Sequence, residues 1–146
     1  MPGQKRTANV TWNGGLIEGS GMLASVTSGA ISNLPVSWKS RTEDPGGATS
    51  PEELIAAANA ACFAMALSFG LASAGHAPEV LEVSATCTLS LDGGPKITSM
   101  DIHVRGKVAG MDQAAFAAAA EGAGQNCPVS TVLKQAIEIR TTAELI

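Results

Sequence analysis

The chain has 146 residues, 45% of them hydrophobic and 15% charged, so we expect a single folded domain over residues 1–146 with its own core. Its net charge is −4 and no Lys/Arg cluster is present to neutralise phosphates, which argues against a nucleic-acid-binding protein. Three irregularly spaced cysteines do not form a secreted disulfide framework, and no signal-peptide pattern is visible near the start. A cytoplasmic protein is therefore expected.

The first part of the chain predicts short strands. Residues 6–27 are expected to form two strands around the Asn13–Gly15 turn, because glycine accepts the positive φ angles that hairpin turns need. Pro35–Lys39 is predicted to be a third short strand. The segment Arg41–Ser50 is rich in Pro, Gly, Asp, Thr and Ser, which predicts a loop.

A long apolar helix follows. Ser50 is a predicted N-cap, Pro51 suits the first helical position, and Glu53 is placed to complete a capping box. The helix is predicted to end near Gly75. Leu54–Ala74 carries no charge and is long enough to cross a membrane, but it contains polar residues and lacks Lys/Arg and aromatic anchors at its ends. We therefore expect the buried centre of a soluble fold, with no membrane as partner.

The second half of the chain predicts two strands, two helices and a last strand. Alternating apolar and polar residues indicate half-buried strands, and Gly124 is expected to break the first of the two helices. The order predicts an α+β fold with antiparallel pairing. The predicted strands are Val83–Leu91, Met100–Arg105 and Ile137–Arg140, and the predicted helices run from Asp112 to about Ala123 and from Pro128 to Lys134.

Cys127 lies in a context that favours a reactive thiol. It precedes Pro128, so it is expected at an N-cap or in the first turn of a helix. The backbone N–H groups and the positive end of the helix dipole favour the thiolate there, which lowers the pKa of the thiol from its ordinary value. A capping thiol without a chemical role is the alternative.

Cys62 lies in the middle of the long apolar helix. Apolar surroundings raise the pKa of a thiol, and a small core residue is the alternative interpretation of this position. To react, Cys62 needs a cation brought to it, and Arg41 in the preceding loop is the leading candidate.

The remaining cysteine and the two histidines are predicted to lie outside the site. Cys87 falls on the apolar phase of its strand and is expected to pack in the core. His76 and His103 are expected in a loop and on a strand surface. Because no cysteine and histidine residues lie at the short spacing of metal ligands, we expect neither a metal nor a cofactor.

Three segments together resemble the osmotically inducible protein C family of thiol peroxidases: RTED, PEELIAAANAACFAMAL and CPVSTVLK. The opening TWNGGLIEGSGMLASVTSG is also similar to the first strands of that family. The resemblance is greater to the stress-inducible branch, because Arg41 directly precedes the helix. It implies an intertwined α+β homodimer with antiparallel sheets around a long central helix, which reduces organic hydroperoxides and, less efficiently, hydrogen peroxide.

The resemblance also implies a role for each of four residues. Cys62 would be the peroxidatic thiol, and Cys127 the resolving thiol that forms an intramolecular disulfide with it. Arg41 would hold the Cys62 thiolate, and Glu52 would orient Arg41. Asn59 departs from the pattern, since the stress-inducible branch often has histidine there. The family's reductant resembles a lipoyl-type dithiol.

Helix geometry constrains how these four residues meet. Glu52 and Cys62 are ten residues apart, a rise of about 15 Å and a rotation about 80° short of three turns, so they do not touch within one straight helix. If all four belong to one site, either a fold-back of Arg41 or a second chain must bridge them, and our hypothesis is a composite site in which Cys62 of one subunit faces Arg41 and Glu52 of its partner. Two other functions stay open: a thiol–disulfide exchange protein, and an apolar-ligand binding module whose cysteines are core residues.

Overall fold

Two three-stranded sheets and four helices make up residues 2–146, the part of the chain that the computed structural model describes. The elements fall into two units, one ending at Leu54 and the other spanning Ile55–Ile146. The mixed content of helix and sheet confirms the predicted α+β class. The prediction of a single domain over residues 1–146 stays a prediction.

The first unit contains a three-stranded antiparallel sheet in the order β1-β2-β3. The predicted hairpin is confirmed, but its connection is longer than the expected turn and runs over residues 14–19, where Gly14 takes a φ of +86°. The strands are β1 (Ala8–Asn13), β2 (Ser20–Val26) and β3 (Ser32–Val36).

The structure corrects the prediction of a strand over Pro35–Lys39. The strand ends at Val36, and a short helix α1 (Trp38–Thr42) follows, so Arg41 lies on a helix and not in a loop. The reason is a capping box that the sequence pattern did not suggest. The Ser40 N–H donates to Ser37 Oγ and the Ser37 N–H donates to Ser40 Oγ, each at 3.0 Å.

Helix α2 (Pro51–Ser73) begins and ends close to the predicted positions. The Glu53 N–H donates to Ser50 Oγ at 3.2 Å, as expected for the cap, although the Glu53 carboxylate accepts from Thr49 Oγ1. At the other end Gly75 has a φ of +84° and the His76 N–H reaches back to the Leu71 carbonyl at 2.8 Å. This Schellman motif satisfies carbonyl groups of the last turn.

The surface of α2 differs from the prediction of a helix buried on all sides. It is long and apolar enough to cross a membrane by length and composition, but so is the core helix of many soluble proteins, so this is weak evidence for a span. Only 22% of its most apolar 18-residue stretch is buried within the single chain. Met65 and Phe69 are 72% and 77% exposed. The helix therefore presents an apolar face outward.

The second unit holds a sheet in the order β4-β5-β6. Strands β4 (Val80–Ser90) and β5 (Lys96–Lys107) pair antiparallel, as predicted, whereas β6 (Glu138–Leu145) pairs parallel with β5. The parallel pairing is possible because α3 (Gln113–Asn126) and α4 (Pro128–Leu133) carry the chain back across the sheet. The last strand, predicted over Ile137–Arg140, begins one residue later at Glu138 and continues to Leu145.

Gly124 does not break α3, contrary to the prediction. The helix continues to Asn126 and ends where Cys127 precedes Pro128. A glycine costs a helix only about 1 kcal/mol, whereas the residue before a proline is sterically pushed out of the helical conformation. The proline therefore determines the boundary, and it places Cys127 at the junction of α3 and α4.

One apolar core lies between α2, the sheet and α3 in the second unit. Its fully buried members come from all three elements, and the face of α2 that supplies them also carries Asn59. Cys62 lies at the edge of this face and is only partly buried. The largest buried side chains are Phe63, Leu67, Leu71, Met100, Ile102, Val104 and Phe116.

A Gly106→Ala substitution tests this core. A Cβ at Gly106 would lie 2.4 Å from Phe116 Cζ and 3.0 Å from Leu81 Cδ2, so we expect overpacking to lower the free energy of unfolding by roughly 1–3 kcal/mol in urea titrations. Gly122→Ala on α3 is the matched control, since its Cβ meets nothing within 4 Å and should be neutral or stabilising. Equal stability of the two variants would contradict this description of the core.

Candidate functional site

Helices α2 and α4 bring Cys62 and Cys127 together. The two free thiols are neighbours in the core, where Cys127 raises the pKa of Cys62 and Cys62 lowers the pKa of Cys127. Cys127 is fully buried, at 0% exposure, whereas Cys62 is partly exposed. Neighbouring thiols of this kind can pair as a disulfide, and Cys62 is the one of the two that is open to a molecule arriving from solvent.

The environment of Cys127 lowers the pKa of its thiol. Burial raises this pKa, but it is outweighed by the Ser130 N–H, the Cys62 thiol, the Ser130 hydroxyl and the Val129 N–H, all of which lower it. Cys127 is the N-cap residue of α4 with Pro128 after it, as predicted, and makes no conventional side-chain cap hydrogen bond. Its charge is instead stabilised by several groups around the sulphur.

The surroundings of Cys62 raise the pKa of its thiol. Burial raises the pKa of its thiol, donation of its S–H towards Cys127 raises it further, and the Val129 N–H lowers it only in part. Nothing within residues 55–146 that lowers this pKa carries a positive charge. Within the second unit Cys127 is therefore the more acidic of the two thiols.

Arg41 and Glu52 form a second pair, in the first unit. Arg41 Nε and Nη2 both donate to Glu52 Oε1, at 2.9 and 2.8 Å, and the guanidinium lies over the Trp38 ring at 5.9 Å. Glu52 is 7% exposed, and its Oε2 is buried without a hydrogen-bond partner among the described residues. Helix α1 supplies the arginine and the first turn of α2 supplies the carboxylate.

The four predicted site residues thus form two pairs. The structure brings Cys62 to Cys127, and it brings Arg41 to Glu52. That the two pairs act as one site stays a prediction. The Arg41–Glu52 bond gives a physical basis for the expectation that the carboxylate orients the guanidinium.

Asn59 and Ser130 form a buried pair that sequence reasoning missed. The Asn59 amide donates to Ser130 Oγ at 2.9 Å, and the Ser130 hydroxyl lies 3.3 Å from Asn59 Oδ1. Their exposures are 0% and 1%. The sequence held one signal of this pair: each residue lies three positions from a cysteine, Asn59 before Cys62 and Ser130 after Cys127, which places it on the same helical face as that cysteine.

The remaining cysteine and the two histidines make contacts within the fold. Cys87 is a partly buried residue of β4 that packs against the core. His76 lies in the loop after α2 and contacts the Ala109 carbonyl at 3.2 Å, and His103 lies on β5 beside Thr142 Oγ1 at 2.7 Å. Within residues 2–146 no group of three or more His, Cys, Asp or Glu side chains is arranged to hold a metal ion.

A groove of about 840 Å³ opens beside Cys62 between α2, α3 and the start of α4. Its lining is mainly apolar, and it includes the exposed Met65 and Phe69. An alkyl or aryl group fits such a lining better than a small polar molecule does, because it removes apolar surface from water. The partly exposed thiol therefore lies in the wall of an apolar groove.

Comparisons with known proteins show which family and fold this chain is similar to. The family described as OsmC-like protein matches residues 44–142. The chain is 39% identical over 129 residues to Peroxiredoxin OsmC of Escherichia coli (strain K12), covering 88% of this chain and 89% of that protein. Its fold is similar to solved structures of an organic hydroperoxide resistance protein from Elizabethkingia anophelis (TM-score 0.71, 24% identity, all of both chains) and of OsmC from Legionella pneumophila (TM-score 0.69, 22% identity, 94% and 96%).

The ionisation of Cys127 can be measured directly. In a Cys62→Ser/Cys87→Ser variant, which retains Cys127 as its one thiol and keeps a hydrogen-bond donor at position 62, thiolate absorbance near 240 nm should titrate below the ordinary pKa of 9.0, because the surrounding donors favour the charged form. Above the shifted pKa the thiolate predominates, and below it the thiol. In urea the same variant should return to the ordinary value. A folded-state pKa at or above the unfolded one would contradict the prediction.

Proposed function

The chain belongs to the family of OsmC-like proteins, and from that membership we propose that it is a thiol peroxidase whose attacking sulphur is Cys62 and whose resolving sulphur is Cys127. The relative that shares 39% identity is named a peroxiredoxin. One observation carries the assignment of roles: the two thiols are neighbours, and of the two Cys62 is partly exposed whereas Cys127 is fully buried. A substrate must reach the first sulphur, whereas the second has only to reach the first.

The reaction proceeds in two steps. The Cys62 thiolate attacks one oxygen of the hydroperoxide, the O–O bond breaks, and the alkoxide leaves as an alcohol after taking up a proton. Cys62 becomes a sulfenic acid. The Cys127 sulphur then attacks the sulfenic sulphur, hydroxide leaves as water, and a Cys62–Cys127 disulfide forms. An external dithiol, for which a lipoyl-type compound is proposed, restores both thiols by exchange.

Organic hydroperoxides are the proposed substrates, with hydrogen peroxide reduced less efficiently. The apolar groove beside Cys62 supports this preference, because it gives binding energy to a carbon chain and none to hydrogen peroxide. Structural relatives from several bacteria are named organic hydroperoxide resistance proteins. The proposed compartment is the cytoplasm, where dithiol systems keep cysteines reduced.

Activation of Cys62 requires a positive charge from outside residues 55–146, because those residues raise the pKa of this thiol. Arg41 is the proposed source, since its guanidinium stays charged and one edge of it is already fixed by Glu52. We propose that the arginine comes from the partner subunit of a homodimer. One observation supports a partner: the exposed apolar face of α2.

Peroxide-driven thiol loss tests the proposed function. One equivalent of cumene hydroperoxide should remove two of the three thiols per chain in a thiol titration, and Cys62→Ser should abolish the loss. Cys87→Ser is the matched control and should still lose two thiols. Unchanged thiol content in the wild-type chain would favour a ligand-binding module. Reduction of insulin disulfides without peroxide consumption would favour a thiol–disulfide exchanger.

Arg41→Ala should slow the peroxide-dependent oxidation of Cys62 by roughly 10- to 100-fold, the effect of removing one hydrogen bond to a charged group. Glu52→Gln should cause a smaller loss, because it releases the guanidinium without removing it. The measurement is a stopped-flow rate under single-turnover conditions. An unchanged rate in Arg41→Ala would remove this residue from the mechanism.

Mixing two impaired variants shows whether Arg41 acts on Cys62 of its own chain or on Cys62 of the partner subunit. If Arg41 acts across the dimer, a heterodimer of Arg41→Ala and Cys62→Ser subunits contains one intact site, and random mixing should restore about a quarter of the wild-type activity. If Arg41 acts within its own chain, no site in the mixture is intact and the activity stays at the level of the variants. A fully active monomer would contradict the composite site.

A further inference from the structure

Two parallel contacts join α2 and α4. One is the contact between Cys62 and Cys127, and the other is the hydrogen-bonded pair of Asn59 and Ser130. On each helix the two members are three residues apart, so they lie on one face and the contacts are neighbours. The Asn59–Ser130 pair therefore fixes the first turn of α4 against α2 at the place where the thiols meet.

The Ser130 hydroxyl has one hydrogen and two possible acceptors. Its oxygen accepts from Asn59 Nδ2 at 2.9 Å, and its hydrogen can point to Asn59 Oδ1 at 3.3 Å or to the Cys127 sulphur, whose pKa this hydroxyl lowers. The bond to Oδ1 is long for a hydroxyl donor. An ionised sulphur is the stronger acceptor, because hydrogen bonds to charged groups are about twice as strong as neutral ones.

We propose that Asn59 and Ser130 are positioning residues for the resolving step, in which Asn59 holds the Ser130 hydroxyl so that it donates its hydrogen to the Cys127 thiolate. This inference rests on the proposed role of Cys127 as the resolving sulphur. Donation from the Asn59 amide to Ser130 Oγ polarises the hydroxyl and leaves its hydrogen for the sulphur. Asn59 thus acts on Cys127 through Ser130.

The hydroxyl changes partner during the step. While Cys127 is a thiolate, the hydroxyl donates to its sulphur. When that sulphur bonds to the sulfenic sulphur of Cys62, hydroxide leaves as water and the negative charge on Cys127 disappears. The hydrogen then turns to Asn59 Oδ1, so the buried hydroxyl is satisfied before and after the reaction. Within residues 55–146 the titratable group that acts on Cys127 is Cys62.

The first test is a titration that needs no peroxide. In the Cys62→Ser/Cys87→Ser background, Ser130→Ala should raise the pKa of Cys127 by about one unit, a tenfold loss of thiolate, because a hydrogen bond to the charged form is removed. Ser130→Thr keeps the hydroxyl and should restore the lower pKa. An unchanged pKa in Ser130→Ala would overturn the proposal, whether or not the protein proves to be a peroxidase.

A double-mutant cycle tests whether Asn59 acts through Ser130. Asn59→Leu removes the amide at similar volume and should also raise the pKa of Cys127, but it should add nothing when Ser130 is already alanine. Additive shifts would overturn the proposed route. Urea titrations of the same variants measure the loss of folding stability, which a merely structural role of the pair would also cause, so only the pKa shift and its non-additivity count as support.

In the otherwise wild-type chain, Ser130→Ala should slow only the second phase of single-turnover kinetics, which is the formation of the disulfide. After a hydroperoxide pulse, disulfide formation in Ser130→Ala should be about threefold slower at neutral pH, since a tenfold loss of thiolate is partly offset by its greater nucleophilicity. The pH midpoint of that phase should move upward. The peroxide-dependent first phase should not slow. Slowing confined to the first phase would contradict the proposal, and the absence of any first phase would contradict the proposed function instead.

Discussion

The hydrogen-bonded pair of Asn59 and Ser130 holds α4 in register on α2, and the contact between the thiols depends on that register. Both side chains are fully buried, and an unpaired amide or hydroxyl in such a place costs about 1–3 kcal/mol. A slip of α4 by one residue would leave both unpaired and would move the Cys127 sulphur away from Cys62. The proline after Cys127 acts together with the pair, because it ends α3 and starts α4 at the sulphur itself.

The sequence predicted the elements that depend on strong local signals. The cap at Ser50, the Schellman end at Gly75 and the N-cap position of Cys127 were all recognised, because each rests on neighbouring residues. Helix α1 was missed, since its capping box uses two serines and lies directly after a strand. The parallel pairing of β6 and the Asn59–Ser130 bond could not be predicted, because they join segments that are distant in the chain. Local patterns carry no information on which distant partner a buried polar side chain will find.

The surroundings of the two thiols favour ionisation of Cys127, which the second step of the proposed reaction needs. They disfavour ionisation of Cys62, which the first step needs. The donors around Cys127 stabilise its thiolate, while Cys62 is partly desolvated and gives its own hydrogen to that sulphur. The pair shares its protons, so ionising one sulphur opposes ionising the other. A cation beside Cys62 resolves the conflict, because it stabilises a second negative charge at short range. Arg41, held by Glu52 with its charge preformed, is the proposed source of this cation.

A lowered pKa at the proposed resolving sulphur has a kinetic consequence. Lowering the pKa of a thiol by one unit, while it stays above the ambient pH, gives about tenfold more thiolate, but the thiolate becomes about threefold less nucleophilic. The net gain is roughly threefold in the rate of disulfide formation. That gain shortens the life of the Cys62 sulfenic acid, which a second hydroperoxide would otherwise convert irreversibly to sulfinic acid. In the proposed mechanism, the apolar groove beside Cys62 favours organic hydroperoxides, so the partly exposed sulphur needs a fast partner, and the buried donors around Cys127 favour one.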